Sequence, residues 1–159
     1  MNAAPSIVDH IMAVMEAAFD PAFGEAWNRR QVSDALAMPS THALVVDQAG
    51  GLLTCGTCDQ AAGFVMTRHA ADEEELLLIA VRPEHRGRGL GAALIQHLIP
   101  SARSRSTARI FLEMRRGNPA VHLYRKFGFE PIGERPNYYQ LNDGSRIDAI
   151  TFGCNLPTM

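Results

Sequence analysis

The apolar positions of the chain fall into two periods, and their alternation predicts the order of its elements. Ile7, Ile11, Val14, Met15, Ala18 and Phe19 recur at helical spacing, a single stripe turned to a core, and predict a helix over 7–19. After the turn signals Asp20-Pro21 and Gly24, Trp27 to Met38 predicts a second helix, which Pro39-Ser40 ends. Ala43–Val46 and Ala62–Met66 are short, partly β-branched runs separated by a Gly-rich polar stretch, the pattern of two neighbouring antiparallel strands. Glu75–Val81 is almost continuously apolar, as in a strand covered on both faces, and belongs near the middle of a sheet. Helical spacing returns at Leu90, Ala93, Leu94, His97 and Leu98, directly after the polar, Gly-rich stretch 82–91. A strand at Arg109–Glu113, a helix at Pro119–Phe127, a strand at Phe129–Gly133 and a further strand near Ile147–Phe152 complete the pattern. The expected class is α/β with mixed strand directions.

The 159 residues suit one domain, expected to run over 1–159, because no repeat, low-complexity tract or Pro/Ser-rich linker divides them. A hydrophobic share of 47% against 20% charged residues is that of a chain that buries a core. The formal charge of −2 gives no global attraction to phosphate backbones or anionic lipid, so no nucleic-acid partner is expected. No apolar run approaches the roughly 20 residues that span a bilayer, and the first residues lack the form of a signal peptide. The expectation is a cytoplasmic protein with no membrane partner. Cys55, Cys58 and Cys154 are too few for a disulfide framework and are expected as free thiols. Cys55-Gly-Thr-Cys58 has no second pair and opens no helix, and reads as a loop inserted between two strands. His10, His42, His69, His85, His97 and His122 lack metal-ligand spacing, so no metal is expected.

Chemistry enters at Arg86-Gly87-Arg88-Gly89-Leu90-Gly91. This loop follows a buried strand and opens a helix, so backbone N–H groups and a helix N-terminus converge where an anion such as a pyrophosphate would fit. Glycines allow close backbone approach and positive φ, and Arg86 and Arg88 add positive charge. Ala92-Ala93 stand where a P-loop needs Lys-Ser/Thr, which excludes that reading, and the mid-chain position fits a dinucleotide-binding fold poorly.

Arg86-x-x-Gly89-x-Gly91 after an apolar strand resembles the acyl-CoA-binding motif of the Gcn5-related N-acetyltransferase (GNAT) superfamily. Leu123-Tyr124-Arg125-Lys126-Phe127-Gly128-Phe129 is similar to its second signature. Phe111–Arg115, Arg135–Tyr139 and Asp143–Ala149 further resemble the bacterial ribosomal-protein-alanine N-acetyltransferases. The resemblance implies a twisted, mixed, mostly antiparallel sheet with helices on both faces, splayed at its centre so that acetyl-CoA wedges between two strands. It implies that the main chain of Ile79, Ala80 and Val81 holds the acetyl and pantetheine arm, beside the 86–91 loop. The family commonly has Asn seven residues before the tyrosine. Here that position is Gly117 and the Asn follows it, which leaves open whether Asn118 contacts CoA.

Acetyl transfer to an amine needs a proton acceptor for the amine, a place for the oxyanion and a proton for the departing thiolate. Glu113, preceded by Ile110, Phe111 and Leu112, has sequence neighbours that favour a useful base, and the resemblance implies that role. Glu75, or its neighbours Asp72, Glu73 and Glu74, is the rival base that some members of the superfamily imply, Glu75 being also a candidate acceptor contact; the alternative is a solvated charge run at a strand end. Tyr124 is implied as general acid, a phenol with a reference pKa of about 10 being protonated at neutral pH. Tyr138 and Tyr139 stand where the family shapes the mouth for a peptide N-terminus, and Arg135 and Asp148 either line this mouth too or form exposed structural ion pairs. An α-amine has a neutral fraction roughly two hundred times that of lysine at neutral pH, so a modest base suffices. Neither a Gly-x-Ser-x-Gly elbow nor a Cys/His pair suggests a covalent acyl-enzyme, which favours direct transfer in a ternary complex. The expected acceptor is the N-terminal alanine of a ribosomal protein. Alternatives are a small amine such as an aminoglycoside or polyamine, a lysine side chain, or a CoA-binding module without turnover.

Overall fold

The computed structural model describes residues 6–19 and 26–157, so the Asp20-Pro21 and Gly24 turn signals lie outside the described residues. The order is α1 (Ile7–Ala18), α2 (Arg29–Leu36), β1 (Thr41–Val46), β2 (Gly63–Ala70), β3 (Glu73–Val81), α3 (Leu90–Ser104), β4 (Arg109–Arg115), α4 (Val121–Lys126), β5 (Glu130–Gln140) and β6 (Arg146–Asn155). Six strands form one sheet in the order β1-β2-β3-β4-β6-β5. Every adjacent pair is antiparallel except β3 and β4, which α3 joins as a crossover.

Local chemistry sets the helix limits. Ser6 and Asp9 form a reciprocal capping box before α1, and Asn28 and Gln31 do the same before α2. The expected helix over 27–38 therefore begins two residues later, because Asn28 is its cap. Helix α4 is likewise shorter than 119–127, since the Asn118 side chain accepts from the Ala120 N–H at 3.0 Å and occupies the first turn.

Two apolar clusters lie on opposite faces of the sheet. Ile11, Val14 and Met15 of α1 and Val32 of α2 pack with Phe64, Met66, Leu78 and Ala80. On the other face Leu94, Ile95 and Leu98 of α3 pack with Val65, Leu76, Ile110, Leu112 and Met114. Strand β3 is third of six with helices over both faces, as its apolar run predicts.

The register of β3 is where the sequence is least transparent. Met66 pairs with Leu78 and Thr67 with Leu76, so Leu77 is an extra, bulged residue. A bulge bends its strand, and β3 leaves β4 at that point. Their parallel pairing covers only Glu73–Glu75 against Arg109–Phe111. Beyond it the two strands diverge, which is the splay that the resemblance implied.

The closed end of the splay is held by a buried carboxylate. Glu74 is fully buried. Its Oε1 accepts from Arg105 Nε (3.0 Å) and Thr107 Oγ1 (3.1 Å), and its Oε2 from Arg105 Nη2 (2.7 Å) and Thr67 Oγ1 (2.8 Å). One side chain thus ties together β2, β3, the end of α3 and the approach to β4.

Strand β5 is longer than the expected 129–133, running to Gln140 along the sheet edge. It continues past Pro136 because the register shifts between Arg135 and Tyr139, and Asn137 takes φ 55° there. Asp148 Oδ1 accepts from the Asn137 N–H at 2.9 Å and fixes this irregular segment.

Candidate active site

The stretch from β3 into α3 builds an open cradle. Gly87 and Gly89 take φ +78° and +81°, and a Cβ at either would meet nothing within 4 Å. Gly89 is the N-cap of α3 and no side chain caps that end, so the first-turn N–H groups face outward for an anion. A Cβ at Gly91 would come within 2.9 Å of Leu123, so glycine there lets α3 and α4 approach. His85 Nδ1 is buried without a hydrogen-bond partner among the described residues, and its side chain lines the cleft that starts here. An open glycine cradle, an uncapped helix end and an orphaned imidazole nitrogen suit a phosphate-bearing ligand such as CoA.

The arginines of the loop divide. Arg86 is exposed but lies back on the fold, donating from Nη2 to Ala18 O at 2.6 Å and from Nε to Val81 O at 3.2 Å, and so straps the end of α1 to β3. Its guanidinium brings charge to the cradle while its donors hold the fold. Arg88 is exposed and does not line the cleft.

A cleft of about 1030 Å³ runs from the cradle between the diverging strands. Ile79, Ala80 and Val81 form one wall, and past Glu75 the main-chain groups of β3 that face β4 have no strand partner there. Leu112, Glu113 and Met114 form the other wall, and Asn118, Leu123 and Tyr124 close it. Phe19, Trp27 and Tyr139 line it as well. The sequence pattern did not single out Phe19 or Trp27, since both read as ordinary apolar positions of the first two helices.

Glu113 and Tyr124 flank the cleft from opposite faces of the sheet. Ile110, Leu112 and Met114 belong to the α3-side core, so strand alternation puts Glu113 on the other face. Of the three apolar residues that precede it in sequence, Glu113 therefore shares a face with Phe111 alone. Its Oε2 meets Arg135 Nε at 3.3 Å and accepts from Thr151 Oγ1 at 3.4 Å. Tyr124 belongs to the α3-side core, is 4% exposed, and packs on Phe129 with ring centroids 5.5 Å apart.

Two of the expected acceptor contacts lie elsewhere. Glu75 is at the closed end, where β3 and β4 still pair, and its Oε1 meets Arg68 Nη2 at 3.3 Å. Tyr138 is outside the cleft lining, with the Arg135 guanidinium 5.2 Å from its ring centroid. No group of three or more His, Cys, Asp or Glu that could hold a metal occurs among the described residues.

The sequence profile of the acetyltransferase (GNAT) family matches residues 12–129. The chain belongs to this family. The GNAT match spans both walls of the cleft, the 86–91 loop and Tyr124. Among curated GNAT relatives, the ribosomal protein bS18-alanine N-acetyltransferase of Escherichia coli K12 is 43% identical over 90 residues. That match covers 56% of this chain and 60% of the E. coli protein. A Bacillus subtilis relative, given the same name provisionally, is 31% identical over 137 residues, 85% of this chain and 82% of its own length. The crystal structure of the E. coli ribosomal-protein-S18-alanine N-acetyltransferase superposes with a TM-score of 0.77 at 29% identity, covering 99% of this chain and 94% of that one.

Proposed function

We propose that the chain transfers the acetyl group of acetyl-CoA to the α-amine of a protein N-terminus, with the alanine of a small-subunit ribosomal protein as acceptor. The observation that carries this reading is a cleft with a carboxylate on one face of the sheet and a phenol on the other. An amine reaching Glu113 from the α1–α2 side and a thioester lying beside Tyr124 on the α3 side meet in the gap between β3 and β4.

In this reading the Glu113 carboxylate takes a proton from the amine, whose nitrogen forms a bond to the thioester carbonyl carbon. Main-chain N–H groups of Ile79, Ala80 or Val81 steady the carbonyl oxygen. The carbon–sulfur bond then breaks, the Tyr124 hydroxyl supplies the proton that the departing sulfur takes up, and solvent returns a proton to Tyr124 as Glu113 releases its own. The products are an acetylated amine and free CoA, so no oxidant, metal or covalent enzyme intermediate is required. Gly87, Gly89 and the α3 N-terminus hold the pyrophosphate, and Leu90 and Gly91 begin the helix whose dipole favours it. The relatives named for bS18-alanine acetylation support the choice of acceptor.

Acetyl transfer to peptides beginning Ala, Ser, Met or Gly, some with internal Lys, followed by mass spectrometry beside a set of small amines, tests this proposal. Selective modification of an N-terminal Ala is the expected result. Reaction confined to lysine or small amines would replace the acceptor, and CoA binding without any transfer would make the chain a binding module. The cradle has its own test. Gly89→Ala forces a side chain into φ +81° at the N-cap of α3. Such a left-handed position costs a non-glycine residue about 1 kcal/mol or more. Acetyl-CoA binding by calorimetry should weaken about fivefold or more, and an unchanged affinity would remove the pyrophosphate from this loop.

A further inference from the structure

We infer that Arg135 is a positioning residue for Glu113, an inference that rests on the reading of Glu113 as the base. Two contacts converge on one Glu113 oxygen, Arg135 Nε and Thr151 Oγ1 meeting Oε2 at 3.3 and 3.4 Å. Glu113 also lines the cleft. A carboxylate contacted at one oxygen by a cation and a hydroxyl is restrained in its orientation toward the cleft, as a proton acceptor requires.

Arg135 is itself held. Its guanidinium lies 5.2 Å from the centroid of the Tyr138 ring, and Tyr138 meets Tyr139 edge to face at 5.1 Å. Tyr139 lines the cleft and Tyr138 does not, so Tyr138 serves the site through Arg135 rather than by touching an acceptor. The irregular segment after Arg135 is anchored by Asp148, which accepts from Asn137 N–H at 2.9 Å and from Arg116 Nε at 3.3 Å. Arg116 also pairs with Glu134. The bulge of β5 is therefore a braced arm that presents a guanidinium to Glu113. Edge-strand bulges commonly re-aim a side chain in this way.

A double-mutant cycle separates this role from its rivals. Arg135→Gln should lower kcat about tenfold while leaving the KM for acetyl-CoA and the melting temperature unchanged, and Arg135→Lys should restore most of the loss. Glu113→Gln should be slower still. The variant carrying both Glu113→Gln and Arg135→Gln should be no slower than Glu113→Gln alone, because Arg135 acts only through that carboxylate. Losses that multiply in the double variant, or an Arg135→Gln effect confined to the KM of the acceptor, would overturn the inference and make Arg135 a direct acceptor contact. Wild-type turnover in Glu113→Gln would instead remove Glu113 as the base, a failure of the parent reading that the single variant reveals by itself.

Discussion

Glu74→Ala is expected to destabilise the fold by about 3–5 kcal/mol, the loss typical of breaking a buried ion pair from one side. Arg105, only 17% exposed, would keep its charge without its partner, and the hydroxyls of Thr67 and Thr107 would lose their acceptor. A chain of this size should melt about 10 °C or more lower by calorimetry. The same carboxylate sets a pH dependence. Burial pushes its pKa upward, but hydrogen bonds from Arg105 and Thr67, the Arg105 charge and a further bond from Thr107 more than offset this and hold it below its ordinary 4.5. A carboxylate depressed in the folded state binds its proton more readily when unfolded. Its stabilisation is therefore complete above about pH 4.5 and fades as the pH falls through that value toward the lower folded pKa. Glu74→Ala should accordingly flatten the acid side of the stability curve. A variant as stable as the parent, with the same acid limb, would show that the closed end is held by backbone pairing and apolar packing alone.

The network also shows where sequence patterns stop being informative. Strand and helix order follows from periodicity, because the residues concerned bury one face against a core and the period reports that face directly. The glycine loop was legible for a similar reason, as backbone approach and positive φ leave a compositional trace. Glu74 was not legible. Within Asp72–Glu75 it reads as one more solvated charge, and only the fold brings Arg105 and Thr107 to it from more than thirty residues away. His42 and His69 are a parallel case, far apart in sequence and joined at 2.7 Å across β1 and β2. The bulge at Leu77 is hidden by Leu76, Leu77 and Leu78, three identical side chains in which a change of face leaves no mark. The catalytic candidates fall between these limits. Motifs point to Glu113 and Tyr124, yet the run Ile110-Phe111-Leu112 does not report the surroundings of Glu113, because of these three only Phe111 lies on its face of the strand.

Tyr124→Phe is expected to cost 10²–10⁴-fold in kcat, the range for removing a positioned proton donor, with acetyl-CoA affinity unchanged within about twofold. The substitution suits the test because it removes one oxygen and keeps the ring that packs on Phe129 in the α3-side core. The main chain at 124 is unaffected, and it is important in its own right. Tyr124 O accepts from Phe127 N–H at 3.0 Å and Phe129 N–H at 3.1 Å, closing α4 and launching β5. A loss of turnover with an unchanged melting temperature would thus be a loss of chemistry. Rapid-quench or coupled-thiol assays under saturating acetyl-CoA measure it. A second donor makes the assignment specific to the sulfur. If Tyr124 protonates the leaving thiolate, its absence should matter less when the thiol is a stronger acid and departs without a proton. An acetyl thioester of an aryl thiol, offered with the same acceptor, should therefore narrow the gap between parent and variant by at least tenfold relative to acetyl-CoA. An equal defect with both donors would place the hydroxyl's contribution elsewhere, in orienting the thioester rather than in giving up its proton.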